Sequence, residues 1–230
     1  MTAVRRPLPV LLAGAVVVGM VLSAWAPKDR TTWFLETVWV LVGLPLIVLA
    51  WRRFPLTGLL CCLLAVHAVV LMVGGHYTYA QVPLGNWLRD ELGLERNPYD
   101  RFGHLMQGFV PAVLVRELLS RTSPLRGSRW LAPLTVCACL AFSAVFEMLE
   151  WLAAVVGGQA ADAFLATQGD VWDTQWDMFC ALAGATVSVL VLSRLHDRQL
   201  AALEVTSSYS GAAPTAGRRT STRGTTPLPR

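Results

Sequence analysis

The sequence predicts an all-α, polytopic membrane bundle of about six helices, and three observations predict it. Hydrophobic residues make up 54% of the 230-residue chain and charged residues only 15%, against about a quarter in soluble domains. Mean hydropathy is +0.50. Apolar runs of roughly 18 residues or more, the length a helix needs to cross a bilayer, recur along the chain. The net charge of +4 and pI of about 9.0 do not signal a nucleic-acid binder, because the basic residues lie between apolar runs and form no patch.

The spans fall at 8–25, 33–50, 57–74, 98–119, 131–156 and 172–193, one membrane domain within residues 1–200. The first follows Arg5-Arg6 and ends in Ser23-Ala24-Trp25-Ala26, a pattern shared with secretory signals, but Pro27 directly after it reads against cleavage. The second and third are plain apolar runs; Glu36 reads as an interfacial residue and His67 as a hydrogen-bonded core histidine. The connection from Gly75 to Asn97 is long enough to be functional or partly structured. Asn97 followed by Pro98 reads as an N-cap and first helical residue for the fourth span, which Gly108 and Pro111 should loosen or kink. The fifth and sixth spans are longer and more polar. From Ala201 to Arg230 the chain turns to Ser, Thr, Gly, Pro and Arg, the composition of a disordered tail. Cys61, Cys62, Cys137, Cys139 and Cys180 all lie inside apolar runs and read as small buried hydrophobes.

Arginine sets the orientation. Arg5, Arg6, Arg52, Arg53, Arg121, Arg126, Arg129, Arg194 and Arg198 fall on one side of a six-span chain, whereas the basic residues of the other side are few or diluted by acids. The positive-inside rule then makes both termini cytoplasmic.

An ionisable residue inside the bilayer is a functional-site hypothesis by default. Asp100, His104 and Gln107 share one helical stripe, Glu147 and Glu150 a second, Asp173 and Asp177 a third. All sit toward the outer end, with His76 nearby. If the stripes face one another they enclose an outward acidic pocket that could bind a divalent metal, hold a proton or do acid and base chemistry. Asp100, His104, Glu147, Glu150, Asp173 and Asp177 are the candidate catalytic residues. Candidate ligand contacts are His76, Tyr77, Tyr79, Arg101, Gln107, Trp151, Gln168, Trp172 and Trp176. Asp100, and Asp170 with Asp173, also suit a helix first turn or cap, and Glu117 reads as an ion pair with Arg116. Paired Glu-x-x-His motifs, G-x-S-x-G and nucleotide fingerprints are absent.

The segments HYTYAQVPLGNW, RNPYDRFGHLMQG, FEMLEW and TQGDVWDTQWDM resemble, in order and spacing, the YjdF-type family of small bacterial inner-membrane proteins, over about residues 30 to 195. That resemblance implies a multi-pass membrane protein without an established activity. The succession Asp100-x-x-x-His104, Glu147 or Glu150, then Asp173 and Asp177 is more distantly similar to VanZ-like proteins, with Arg101 standing where lysine is usual. Three functions remain open: an enzyme or binding protein acting on a cell-envelope or lipid-linked molecule, a proton-coupled transporter, and a structural or partner-binding protein of the lipid bilayer whose polar residues cross-link its helices. No internal repeat supports the second, and so many carboxylates with so few cations make poor helix-linking bonds for the third.

Overall fold

The computed structural model describes residues 7–157 and 162–211. In chain order the elements are α1 (Leu8–Ser23), α2 (Arg30–Ala50), α3 (Gly58–Tyr77), a 3-10 turn at Tyr79–Gln81, α4 (Pro83–Leu92), α5 (Tyr99–Thr122), α6 (Leu131–Gly157), α7 (Asp162–Leu165) and α8 (Asp173–Gly211). No strand occurs among the described residues. Helices α2, α3, α6 and α8 are long and apolar enough to cross a membrane, and α1 is a shorter apolar helix. With α5 they form the six-helix bundle that the apolar runs predict.

α5 has the length to span, with 24 residues, but it carries its polar side chains in the middle of the protein. It packs along α8 and against α6 and α3, while α1 and α2 pack on the far side of α3. Its buried stripe runs Asp100, His104, Gly108, Ala112, Arg116 at helical spacing. The two ends of that stripe are charged and its centre is small. A methyl group on Gly108 would run into the Ala181 carbonyl, and one on Gly184 into the Leu105 carbonyl, so α5 and α8 touch backbone to backbone. Ala112, Cys139 and Ala185, each at most 2% exposed, complete the contact with α6. Apolar burial gives no net drive between helices surrounded by lipid, and close approach through small residues supplies packing instead.

Helix starts are capped as the composition suggests. Asp29 accepts a hydrogen bond from the Thr32 N–H at 2.6 Å at the start of α2, and Thr57 caps α3 through the Leu60 N–H. Asn97 accepts the Tyr99 N–H at 3.0 Å, so α5 begins one residue later than expected, with Pro98 as the N-cap. The 75–97 connection is ordered into the 3-10 turn and α4. At the other end α8 continues to Gly211, past the Ala201 where the tail was placed. Leu200 is buried there, Arg126 pairs with Glu204, and Ala201, Ala202, Leu203 and Glu204 are strong helix formers. The rest of the expected tail, 212–230, lies outside the described residues, as do Arg5 and Arg6.

Candidate functional site

The three stripes meet. α5 brings Asp100 and His104, α6 brings Glu147 and Glu150, and α8 brings Asp173 and Asp177; all six side chains are buried. His104 sits at their centre. Its Nε2 lies 3.8 Å from Asp100 Oδ1 and 4.0 Å from Asp177 Oδ2, and its Nδ1 lies 3.7 Å from Glu147 Oε1. The donor atoms of Asp100, His104 and Asp177 all fall within 4.8 Å of one another. α2 adds a seventh member, since the buried Glu36 lies against the Tyr79 phenol and close to Asp100. Tyr79 reaches this depth because Gly103 leaves room for its ring; a methyl group there would strike it.

Arg96 ties the cluster to the loops. Its guanidinium donates to Asp173, to Asp100 at 3.0 Å, and to the Ala166 carbonyl at 3.2 Å. Gln168 locks the same loop onto α5 by accepting the Asn97 N–H at 2.9 Å and donating to the Asn97 carbonyl at 3.1 Å. Asp170 lies outside the helices, where the Trp172 backbone N–H, followed by Arg101 and Arg96, holds its carboxyl below the usual carboxylate range. The loop therefore roofs the carboxylates.

Below that roof a cavity of about 570 Å³ runs between α1, α2 and α3 on one side and α5 and α6 on the other. Glu36, Asp100, His104, Gln107 and Glu150 line its polar end. Trp39, Val40, Leu44, Ile47, Leu64, Leu71 and Phe142 line the remainder, down to Trp51 and Arg52. From Glu36 to Trp51 along α2 is about 22 Å at 1.5 Å per residue. Trp39 and Phe142, both on the wall, touch edge-on with ring centroids 5.2 Å apart.

Comparison with known proteins places this architecture. A family model described as "Predicted membrane protein (DUF2238)" matches residues 8–198. The chain belongs to that family. It is 48% identical over 202 residues to the inner membrane protein YjdF of Escherichia coli (strain K12), covering 87% of this chain and 96% of that one. No solved structure matches. This family member is thus a multi-pass membrane protein of the cell membrane, as the YjdF-type resemblance implies; the VanZ-like resemblance gains no support.

Of the candidate ligand contacts in this DUF2238 chain, only Tyr79 and Gln107 line the cavity. His76 donates through its Nδ1–H to the Ser23 carbonyl, 2.9 Å away, and Tyr77 packs edge-on against it. Arg101 is bound to Asp170 at 2.5 Å and lies over Trp176. Trp151 and Trp172 face outward, and Gln168 is spent on the Asn97 backbone. Sequence reasoning passed over Arg96, although its i, i+4 spacing to Asp100 was a signal, and it placed Glu36 in the interface, whereas α2 turns it inward. His67 lines the cavity wall.

A second polar cluster closes the opposite end of the bundle. Glu117 takes the Thr57 hydroxyl at 2.8 Å, Arg121 at 2.8 Å and His196 at 3.0 Å, while Arg116 binds His196 and both oxygens of Asp197. The expected Arg116–Glu117 pair does not form. Successive helical residues point about 100° apart, and each finds its partner on a different neighbour.

Proposed function

We propose that this protein binds, within the membrane, an amphiphilic molecule of the cell envelope whose apolar chain lies in the cavity and whose polar head reaches the His104 cluster. One observation carries the reading: a single void joins a long apolar wall to Glu36, Asp100, His104 and Glu150. Ligand sites of roughly 300–1,000 Å³ have this make-up, mostly apolar with a few convergent polar groups. A chain of methylenes contributes affinity along the wall, and the head is fixed by hydrogen bonds to the buried polar groups at its end. With both termini cytoplasmic, the head lies toward the outer leaflet.

Gly43 offers the test, because it lines the cavity and a methyl group there would meet no atom within 4 Å, which leaves open space for a larger side chain to start into. Gly43→Trp should fold normally and fill the void. A phospholipid carrying a photoreactive acyl chain is expected to label α2 and α6 in the wild type, and labelling should fall roughly tenfold in Gly43→Trp, equivalent to about 1.4 kcal/mol. Equal labelling of the two proteins would overturn the proposal.

A further inference from the structure

We infer that Asp100, His104 and Asp177 form a site for a divalent first-row transition metal ion, of the manganese, iron or zinc kind. The inference rests on the polar cluster alone and does not need the amphiphile reading.

Spacing is the first argument. Imidazole and carboxylate ligands stand about 2.0–2.2 Å from such an ion, so two of them on one ion lie up to about 4.4 Å apart. The separations of 3.8 and 4.0 Å from His104 Nε2 to Asp100 and Asp177 fall in that range. They are too long for hydrogen bonds, which end near 3.2 Å for N–H···O. Between these side chains there is no direct bond for the close approach to serve.

Orphaned atoms are the second. His104 Nδ1, Glu147 Oε1 and Asp177 Oδ1 are buried with no hydrogen-bond partner, and their side chains are 6%, 5% and 2% exposed. Such groups cost free energy unless something satisfies them. An ion held by His104 Nε2 and the two aspartates, with Asp177 engaged through both oxygens, would satisfy the Asp177 Oδ1 orphan. His104 Nδ1 then carries the proton toward Glu147 Oε1, 3.7 Å away, and closing that gap by about half an ångström to hydrogen-bond distance would complete the carboxylate–histidine–metal arrangement that fixes the ring and its tautomer.

Charge is the third. Among the described residues, the buried carboxylates Glu36, Asp100, Glu147, Glu150, Asp173 and Asp177 face a single buried arginine at this end, Arg96. Buried charges are paired or coordinate metals, and Arg96 already binds Asp100 through Oδ2, leaving Oδ1 toward His104. The mixed imidazole and carboxylate donor set favours a transition ion over calcium or magnesium. Asp100 and His104 also line the cavity, so open coordination positions would face its polar end.

The test uses the full chain in mild detergent, stripped with chelator and titrated with Mn²⁺, Zn²⁺ or Co²⁺ alone. Binding is read by elemental analysis and, for cobalt, by its visible absorption. The wild type should bind about one ion per chain, His104→Ala and Asp177→Asn none. Glu147→Gln keeps all three ligands and should bind ten- to a hundredfold more weakly, with the stoichiometry restored at high metal. Gly43→Trp should bind metal like the wild type whatever its effect on lipid labelling, which separates the two proposals. Should His104→Ala or Asp177→Asn fail to fold, the wild type and Glu147→Gln decide. A wild type that takes up no ion would overturn the site, as would undiminished binding in folded His104→Ala or Asp177→Asn, or in Glu147→Gln.

Discussion

Single residues in this protein do distinct jobs at the two kinds of boundary they occupy. Asp29 sits outside the spans, where the Thr32 backbone N–H holds its carboxyl below its ordinary value of about 3.9. A carboxyl whose folded value is depressed stabilises the fold above the unfolded value and loses that contribution as pH falls through the folded one. Asp29→Ala should therefore cost about 1 kcal/mol near neutrality, as lost N-caps do, and the gap from the wild type should narrow as pH falls below the ordinary aspartate value of about 3.9. Thermal unfolding in detergent across that range checks it; a pH-independent gap would mean that the capping bond is not the cause. Much of the site was legible at this scale. His104, Glu147, Glu150 and Asp177 stood out because intramembrane charge is costly. Arg96 did not, because an arginine in a polar loop looks solvated until Asp170 and Asp173 arrive from elsewhere in the chain to join Asp100.

At the scale of elements, the α5–α8 crossing decides whether the site exists, since α5 supplies Asp100 and His104 and α8 supplies Asp177. Gly108→Val would force the Ala181 carbonyl away and separate the helices. We expect about 3 kcal/mol of destabilisation, the upper end of what overpacking usually costs. Gly14→Ala is the control, because its methyl group would meet nothing. If the two variants unfold at the same temperature, the close contact does not hold the bundle. Helix positions were readable from apolar length alone, to within a few residues. The end of α8 was not: Ser and Thr after 205 suggested disorder, yet the preceding Ala-Ala-Leu-Glu and the buried Leu200 carry the helix on. Nor could the sequence show that α2 turns Glu36 inward, which depends on how α2 rotates against α3.

For the whole molecule, the charge distribution makes a prediction about sidedness. Leu92, at the end of α4, and Arg129, between α5 and α6, are both exposed and lie at opposite ends of the bundle. With the native thiols replaced by serine, Leu92→Cys should react with a membrane-impermeant maleimide in intact spheroplasts. Arg129→Cys should react only after permeabilisation. The reverse pattern would invert the molecule and put the His104 cluster on the cytoplasmic side. α8, at 39 residues, is about 58 Å long, nearly twice a hydrocarbon core of about 30 Å, so its C-terminal part stands clear of the membrane beside the Arg126–Glu204 pair.

The central place of α5 bears on the order in which the chain is made. Asp177 joins Asp100 and His104, Asp197 joins Arg116, and His196 joins Glu117; every one of these partners is on α8, the last of the described helices in chain order. Arg96 and Arg121 pair with Asp100 and Glu117 before α8 is made, but Arg116 and His104 gain their α8 partners only when it emerges, and charge left unpaired in lipid is costly. The most polar of the long helices is thus committed to the bilayer together with α8, and membrane insertion and tertiary folding of this segment become a single late event.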